Sequence, residues 1–183
     1  MKLGKVVVEK ELSGRRVVIR HMDEDDAERM RLYMNKLSKE QTFITYQGEE
    51  ISAEEEQRYV EETIRKMENG TVVKLLLLVD GMVVGTTEVG LGIRTHTHVG
   101  GLGLSVDASV RGLGLGRLLL ETVISEAKKE LQGLRMIELS VFAINDVAIK
   151  LYKSCGFTEV GRVPNKIFYK GEYVDEEIMC LRF

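Results

Sequence analysis

The chain has 183 residues, of which 44% are hydrophobic and 30% charged, and its formal net charge is −3 at pH 7. This length suits one domain with a sizeable core, so we predict a single domain over residues 1–183. The small negative charge argues against broad binding to nucleic acid, and no apolar run approaches the roughly 18 residues that a membrane span needs. Cys155 and Cys180 have no metal-ligand spacing, which indicates buried thiols in a reducing cytoplasm and no metal site.

The first part of the chain predicts a strand and two helices. A strand is expected over residues 15–20, followed by a helix that begins at the N-cap Asp23. After a loop over 41–51, Ser52-Ala53-Glu54-Glu55 has the spacing of a capping box and starts a second helix. We interpret the acidic run as a solvated helix start that complements the helix dipole, with attraction of a cationic amine as the alternative; its members are Glu49, Glu50, Glu54, Glu55 and Glu56. The face that packs inward is predicted to carry Tyr59, Val60, Thr63, Ile64 and Met67.

The rest of the chain alternates strands with helices. A strand over 72–79, apolar except for Lys74, is followed by Asp80-Gly81 and a strand over 82–89, the pattern of a tight hairpin. A third strand is expected over 98–107, a long helix over 114–131 and a strand over 136–142. A short helix capped by Asn145 and a hairpin of strands 158–169 and 172–181 complete the order. This order predicts a mixed α/β fold with a mostly antiparallel sheet of about six or seven strands and about four helices.

The densest chemical signal is Val110-Arg111-Gly112-Leu113-Gly114-Leu115-Gly116-Arg117. It follows a predicted strand and opens an amphipathic helix. Alternating glycines let the backbone approach a ligand closely, and a helix N-terminus favours anions. The spacing fits neither the dinucleotide fingerprint nor the nucleoside-triphosphate loop. We therefore predict a cradle for another phosphate ligand, with a tight turn that holds no ligand as the alternative.

This loop resembles the acyl-CoA pyrophosphate loop of the GNAT superfamily, since Arg111, Gly114 and Gly116 fill the family pattern. The segment Asn145–Phe157, with its Leu-Tyr and Gly-Phe pairs, is similar to the second signature of that family. The resemblance implies the GNAT fold and acetyl-CoA as co-substrate. It also implies N-acetyl transfer to a primary amine, of a small molecule or a protein N-terminus, by direct attack in a ternary complex.

The resemblance also implies which residues hold the cofactor. Its pantetheine arm would pair with free backbone groups of Leu104 and Val106, and its pyrophosphate would lie on the loop backbone. Tyr152 matches the tyrosine that the family commonly uses as the general acid on the leaving thiolate. The full set of implied cofactor-binding residues is Leu104, Ser105, Val106, Arg111, Gly112, Leu113, Gly114, Leu115, Gly116, Arg117, Asn145 and Tyr152.

Two residues are candidates for the general base that takes the proton of the amine. His98 is predicted near the start of the cofactor strand, in a position similar to that of the glutamate base of ribosomal-protein N-terminal acetyltransferases. The ordinary pKa of a histidine lies close to neutral pH, so we expect His98 to matter more than its rival Glu88 on the neighbouring strand. The alternative is that both are polar residues at strand ends without a catalytic role. Phe43 and Tyr46 lie in the loop that shapes the acceptor site in the family.

A different class of function stays open from the sequence alone. The chain could be a non-catalytic module of the same fold that binds acyl-CoA without turnover. Tyr152 and Asn145 are both present, which argues against such a loss of activity. The sequence leaves open the identity of the amine, the length of the acyl group and whether the chain forms a homodimer.

Overall fold

A computed structural model describes residues 2–183, and within this range it contains four α-helices and eight β-strands. The helices are α1 (Ala27–Lys39), α2 (Ala53–Glu68), α3 (Leu115–Glu130) and α4 (Asp146–Ser154). The strands are β1 (Val6–Leu12), β2 (Arg15–His21), β3 (Val72–Val79), β4 (Met82–Leu91), β5 (Val99–Val106), β6 (Met136–Phe142), β7 (Thr158–Tyr169) and β8 (Glu172–Arg182). The mixed, mostly antiparallel α/β class is confirmed. The sheet has more strands than expected because β1 adds an antiparallel partner to β2.

None of the helices within residues 2–183 is long and apolar enough to cross a membrane. The chain divides into two compact units. The first comprises the residues up to Gly90 together with Gly103–Gln132. The second comprises Leu91–Leu102 and Gly133–Phe183, so that β5 contributes residues to both units.

The first unit is organised around β3, all eight residues of which are buried. Its strand order is β1-β2-β3-β4-β5, with antiparallel pairing from β1 to β4. Helices α2 and α3 pack against β3, and α1 packs against α2. Each large apolar side chain buried in this way contributes roughly 1.5–3 kcal/mol to stability. One apolar cluster consists of Met22, Met30, Val60, Ile64, Met67, Val72, Leu76 and Leu78.

Local signals explain the ends of these elements. Ser52 Oγ accepts a hydrogen bond from the Glu55 N–H, and the Glu55 carboxylate accepts one from the Ser52 N–H, so the predicted capping box is confirmed. The turn between β3 and β4 is confirmed at Asp80-Gly81. Asp23 caps a short 3-10 turn before α1, and so α1 begins later than the cap predicted.

The second unit has the strand order β5-β6-β8-β7. β6 pairs in parallel with β5 over Val99–Gly101 and antiparallel with β8. The hairpin of β7 and β8 turns at Lys170-Gly171, as predicted. Cys180 is buried, but Cys155 is only half-buried because it forms the C-cap of α4, so the prediction of two buried thiols is wrong for Cys155.

Candidate active site

The glycine loop connects β5 to α3 within the first unit. A short 3-10 turn, Ala108–Val110, leads into the exposed residues 111–114, and α3 begins at Leu115. Gly112 and Gly114 have φ angles of +78° and +75°, in the left-handed region that residues with a Cβ rarely adopt. No heavy atom lies within 4 Å of a Cβ built on either glycine. The backbone before the α3 N-terminus is therefore open to a ligand, and the helix end favours an anionic one.

Asp107 fixes the entry to this loop. Its buried side chain accepts hydrogen bonds from the N–H and the hydroxyl of Ser109, at 2.8 and 2.6 Å, and pairs with Lys36 Nζ at 2.5 Å. Burial alone would raise the pKa of Asp107, but the bonds from Lys36 and Ser109 outweigh it and hold that pKa below its ordinary value. The backbone N–H of Asp107 donates to the Val84 carbonyl on β4. The loop thus starts from a rigid, ionised anchor.

Arg111 folds back on the protein. Its guanidinium donates from Nε and Nη2 to the Val106 carbonyl, at 3.1 and 3.0 Å, and from Nη2 to the Glu40 carboxylate at 2.5 Å. Glu40 also accepts a hydrogen bond from the Ala108 N–H. The Arg111 side chain therefore braces the loop. The carbonyl of Val106, expected to be free for the cofactor, is already bonded to Arg111.

The other residues of the predicted cradle differ in exposure. Leu113 is exposed at the tip, whereas Leu115 is buried and anchors the start of α3. Gly116 lies in the first turn of α3 and does not have a positive φ. Arg117 is exposed, and its Nη1 donates to Glu121 one turn further along the helix, at 3.3 Å. The groups of this loop that remain available to bind a phosphate are therefore mainly those of the backbone.

A cavity of about 660 Å³ lies within the first unit. Its strand side includes Gly103, Leu104 and Ser105 of β5, and Ser105 Oγ is hydrogen-bonded to the Tyr33 hydroxyl at 2.8 Å. Tyr46 is among the lining residues, whereas Phe43 is not. The remaining lining residues are Met30, Met34, Leu37, Ile44, Thr45, Glu49, Glu50, Ile51, Glu55, Glu56, Tyr59, Lys74, Thr86, Thr87 and Glu88.

Lys74, Tyr59 and Glu88 form a hydrogen-bonded group in this cavity. The buried Nζ of Lys74 donates to the Tyr59 hydroxyl at 2.8 Å, and that hydroxyl donates to Glu88 Oε2 at 3.1 Å. Lys74 Nζ also lies 3.6 Å from Glu88 Oε2. Burial alone would lower the pKa of Lys74, but Tyr59 and Glu88 raise it, and so Lys74 carries its charge. Both contacts fix the position of the Glu88 carboxylate.

Glu56 is a cavity residue that the sequence interpretation missed. Its side chain on α2 is only 3% exposed, and burial raises its pKa, although Lys74 opposes that shift. Among the described residues, none forms a hydrogen bond with its Oε1. Four members of the acidic run are exposed, as a solvated helix start predicts, and only Glu56 is buried. The cavity is lined by Glu49, Glu50, Glu55 and Glu56. The available signal was the helical spacing of three residues that places Glu56 on the face of Tyr59.

The two candidate bases lie in different environments. Glu88 is part of β4 and lines the cavity. His98 is exposed in the turn before β5, which begins one residue later than expected, at Val99. Its carbonyl accepts hydrogen bonds from the N–H groups of Arg135 and Met136 in the second unit. The cavity residues all belong to the first unit, and His98 is not one of them.

Tyr152 and Asn145 belong to the second unit. Asn145 caps α4, with its Oδ1 accepting from the Ala148 N–H at 3.2 Å, as predicted. Tyr152 is buried, and its ring packs against Phe157 with 5.8 Å between the ring centroids. Burial raises the pKa of Tyr152 to about 12. The phenol is therefore protonated at neutral pH.

The fold and the glycine loop together define the class of this protein, an α/β acyltransferase. Within that class the chain belongs to the acetyltransferase (GNAT) family, whose sequence model matches residues 22–157. The family resemblance drawn from the two motifs is thereby confirmed. Comparison with curated proteins finds no match to the sequence.

Solved structures of acetyltransferases share this fold. An acetyltransferase of the GNAT family from Streptococcus pneumoniae is 25% identical, with a TM-score of 0.84 over 91% of this chain and 99% of that chain. A ribosomal-protein-alanine N-acetyltransferase from Brucella melitensis is 24% identical, with a TM-score of 0.78 over 90% and 99%. A putative acetyltransferase from Salmonella typhimurium, solved with its cofactor acetyl-CoA, is 21% identical, with a TM-score of 0.78 over 91% and 93%. The last two likenesses concern the fold alone.

Proposed function

We propose that the chain transfers the acetyl group of acetyl-CoA to a primary amine by direct attack in a ternary complex. One observation carries this proposal. Gly103–Ser105 of β5 form one side of the cavity, and the same strand continues into the glycine loop. A ligand that holds its phosphates at the loop and extends along β5 therefore reaches the cavity with its far end. We also propose that residues 1–183 act as one domain, since the family match extends through residues of both units.

Most of the proposed contacts to the cofactor come from the end of β5 and the loop that follows it. We assign the pyrophosphate to the backbone N–H groups of residues 111–117, because the side chains of Arg111 and Arg117 already bind carboxylates. We assign the pantetheine arm to the backbone of Leu104 and Ser105 and to the N–H of Val106, whose carbonyl already accepts from Arg111. We keep Asn145 as a further contact. When bound, acetyl-CoA supplies an activated acyl group, and the protein supplies its position relative to the amine.

The cavity suits a cationic acceptor. Five carboxylates and a single ammonium group, that of Lys74, are among its lining groups. An alkylammonium must lose a proton before its nitrogen attacks, and we propose that Glu88 accepts that proton. Glu88 lies in the cavity, held by Tyr59 and Lys74, whereas His98 is exposed outside β5. We therefore place Glu88 ahead of His98, the reverse of the order that the sequence favours.

Tyr152 remains our candidate for the general acid. Replacing it, as Tyr152→Phe, should lower kcat by about 10- to 1,000-fold with little change in acetyl-CoA affinity. The reason is that the hydroxyl acts on charge that appears only as the thiolate leaves, while phenylalanine retains the packing against Phe157. Steady-state thiol release and calorimetry measure the two quantities. Full activity of the variant between about pH 6 and pH 9 would show that Tyr152 serves packing alone.

A thiol-release assay with acetyl-CoA and a panel of primary amines tests the proposed function, and mass spectrometry identifies the acetylated product. We expect turnover with at least one amine and a mass increase of one acetyl group on that amine. Binding of acetyl-CoA without turnover across the panel would instead support the alternative, a non-catalytic acyl-CoA-binding module.

A further inference from the structure

The cavity contains one carboxylate oxygen that the protein leaves without a hydrogen bond. Glu56 is 3% exposed, and its Oε1 has no partner among residues 2–183. A buried acceptor without a donor is unfavourable, and native proteins rarely tolerate one without a reason. Glu56 also lines the cavity, so its carboxyl group is among the groups next to a ligand bound there.

The other cavity carboxylates already have partners in the protein. Glu88 accepts from Tyr59, and Glu55 accepts from Ser52 in the capping box. Glu49 accepts from the backbone N–H of Gln47, and Glu50 pairs with Lys39 at 2.8 Å. Glu56 is therefore distinguished from its acidic neighbours by its unpaired oxygen as well as by its burial.

The cavity has two chemically different sides. The strand side carries Gly103–Ser105, Lys74 and Glu88, and the proposed acetyl transfer takes place there. The side formed by α2 and the loop before it carries Glu49, Glu50, Glu55 and Glu56, and no cationic side chain is among the lining residues on that side. Apolar groups of α1 line the wall as well, namely Met30, Met34 and Leu37. An acceptor whose amine reacts at the strand side thus has apolar groups and carboxylates available to the rest of its length.

We propose that the acceptor is a short aliphatic diamine, whose second ammonium group donates a hydrogen bond to Oε1 of Glu56. This proposal rests on the proposed function and adds the substrate class. A monoamine of the same length leaves Oε1 unpaired. An amino acid of the same length brings its own carboxylate towards Glu56 and its acidic neighbours, and like charges repel.

Three five-carbon compounds that differ only at the far end test this assignment: pentane-1,5-diamine, pentylamine and 5-aminopentanoate. We expect kcat/KM for the diamine to exceed that for pentylamine by at least about tenfold, and 5-aminopentanoate to be the poorest of the three. Equal or better turnover of pentylamine by the unchanged protein would overturn the proposal.

Glu56→Gln tests the residue, and Glu54→Gln is its matched control. Glu54 lies on the same helix two positions earlier, but it is exposed and does not line the cavity. The ratio of kcat/KM for diamine over pentylamine should fall towards one in Glu56→Gln and stay at the wild-type value in Glu54→Gln. An equal fall in both variants would mean that general surface charge, not Glu56, sets the preference, and would also overturn the proposal. Circular dichroism verifies that both variants fold.

Calorimetry distinguishes a failure of the diamine assignment from a failure of the proposed acetyl transfer. The Kd values of pentane-1,5-diamine and pentylamine are measured on the protein without acetyl-CoA, so turnover is not required. Tighter binding of the diamine that depends on Glu56 supports the proposal even if no amine is acetylated. Turnover of amines with no diamine preference in either measurement refutes it while the proposed function stands. If Glu56→Gln fails to fold, the preference of the unchanged protein for the diamine over pentylamine decides whether the proposal stands.

Discussion

Gly114→Val should lower the affinity of the chain for acetyl-CoA by at least about 100-fold, the equivalent of losing two hydrogen bonds to charged groups. Gly114 has a φ of +75°, and a side chain there would occupy the open space through which a phosphate approaches the backbone. No protein atom lies within 4 Å of the added Cβ, so the cost to the fold is backbone strain, on the order of 1–3 kcal/mol. A domain of ordinary stability tolerates that cost. Isothermal calorimetry with acetyl-CoA measures the effect.

Gly133→Val is the matched control for this change. Gly133 has a φ of +82°, and no heavy atom lies within 4 Å of a Cβ built there, so valine imposes a similar strain outside the glycine loop. The two variants should melt at similar temperatures, and only Gly114→Val should lose the cofactor. Comparable affinities of both variants for acetyl-CoA would refute the phosphate cradle.

Glu88→Gln should lower kcat at neutral pH by about 100- to 10,000-fold, the range typical of a lost general base. Glutamine has nearly the same shape and still accepts a hydrogen bond from Tyr59, so the cavity keeps its geometry. The deficit should shrink as the pH rises towards the pKa of the amine, near 10, because the substrate then arrives already deprotonated. Rate profiles measured against pH with saturating amine test both expectations.

His98→Ala is the control for the assignment of the base. Because His98 is exposed in the turn before β5, its replacement should leave kcat and the shape of the pH profile close to those of the unchanged protein. The opposite pattern, in which His98→Ala loses the rate and Glu88→Gln retains it, would restore the order that the sequence favours. Full activity of both variants would show that water or the substrate itself, and neither side chain, removes the proton of the amine.

Features that depend on neighbouring residues are predictable from the sequence. The capping box of Ser52 and Glu55 and the turn at Asp80-Gly81 involve residues at most three apart, so local chemistry determines them. The glycine loop belongs to the same class, because the left-handed backbone at Gly112 and Gly114 is a property of the glycines themselves. These local features, with the periodicity of the apolar residues, are sufficient for the fold class and for the open, left-handed backbone of the glycine loop.

The cavity depends on contacts between segments that are distant in the sequence, and local composition gives wrong predictions of burial for its residues. Glu56 stands in an acidic run that predicts exposure, yet the packing of α2 buries it. Tyr59 was expected in the packed face of α2, but its hydroxyl lies between Lys74 and Glu88 and its ring is partly exposed. Lys74 was the most useful signal, since a lysine within an otherwise apolar strand requires partners that the sequence alone does not identify.

The pairing of both loop arginines with carboxylates has a consequence for how the cradle responds to its solution. With Arg111 bound to Glu40 and Arg117 bound to Glu121, the positive charge of each guanidinium is largely compensated within the protein. If the loop holds the pyrophosphate as we propose, the attraction comes mainly from backbone dipoles, which act over short distances and are fixed in direction. Dissolved ions screen interactions between exposed, separated charges far more than they screen direct contacts. Under the proposed assignment, retention of the phosphate ligand should therefore depend mainly on its fit to the backbone, and it should weaken less with ionic strength than binding to unpaired arginines would.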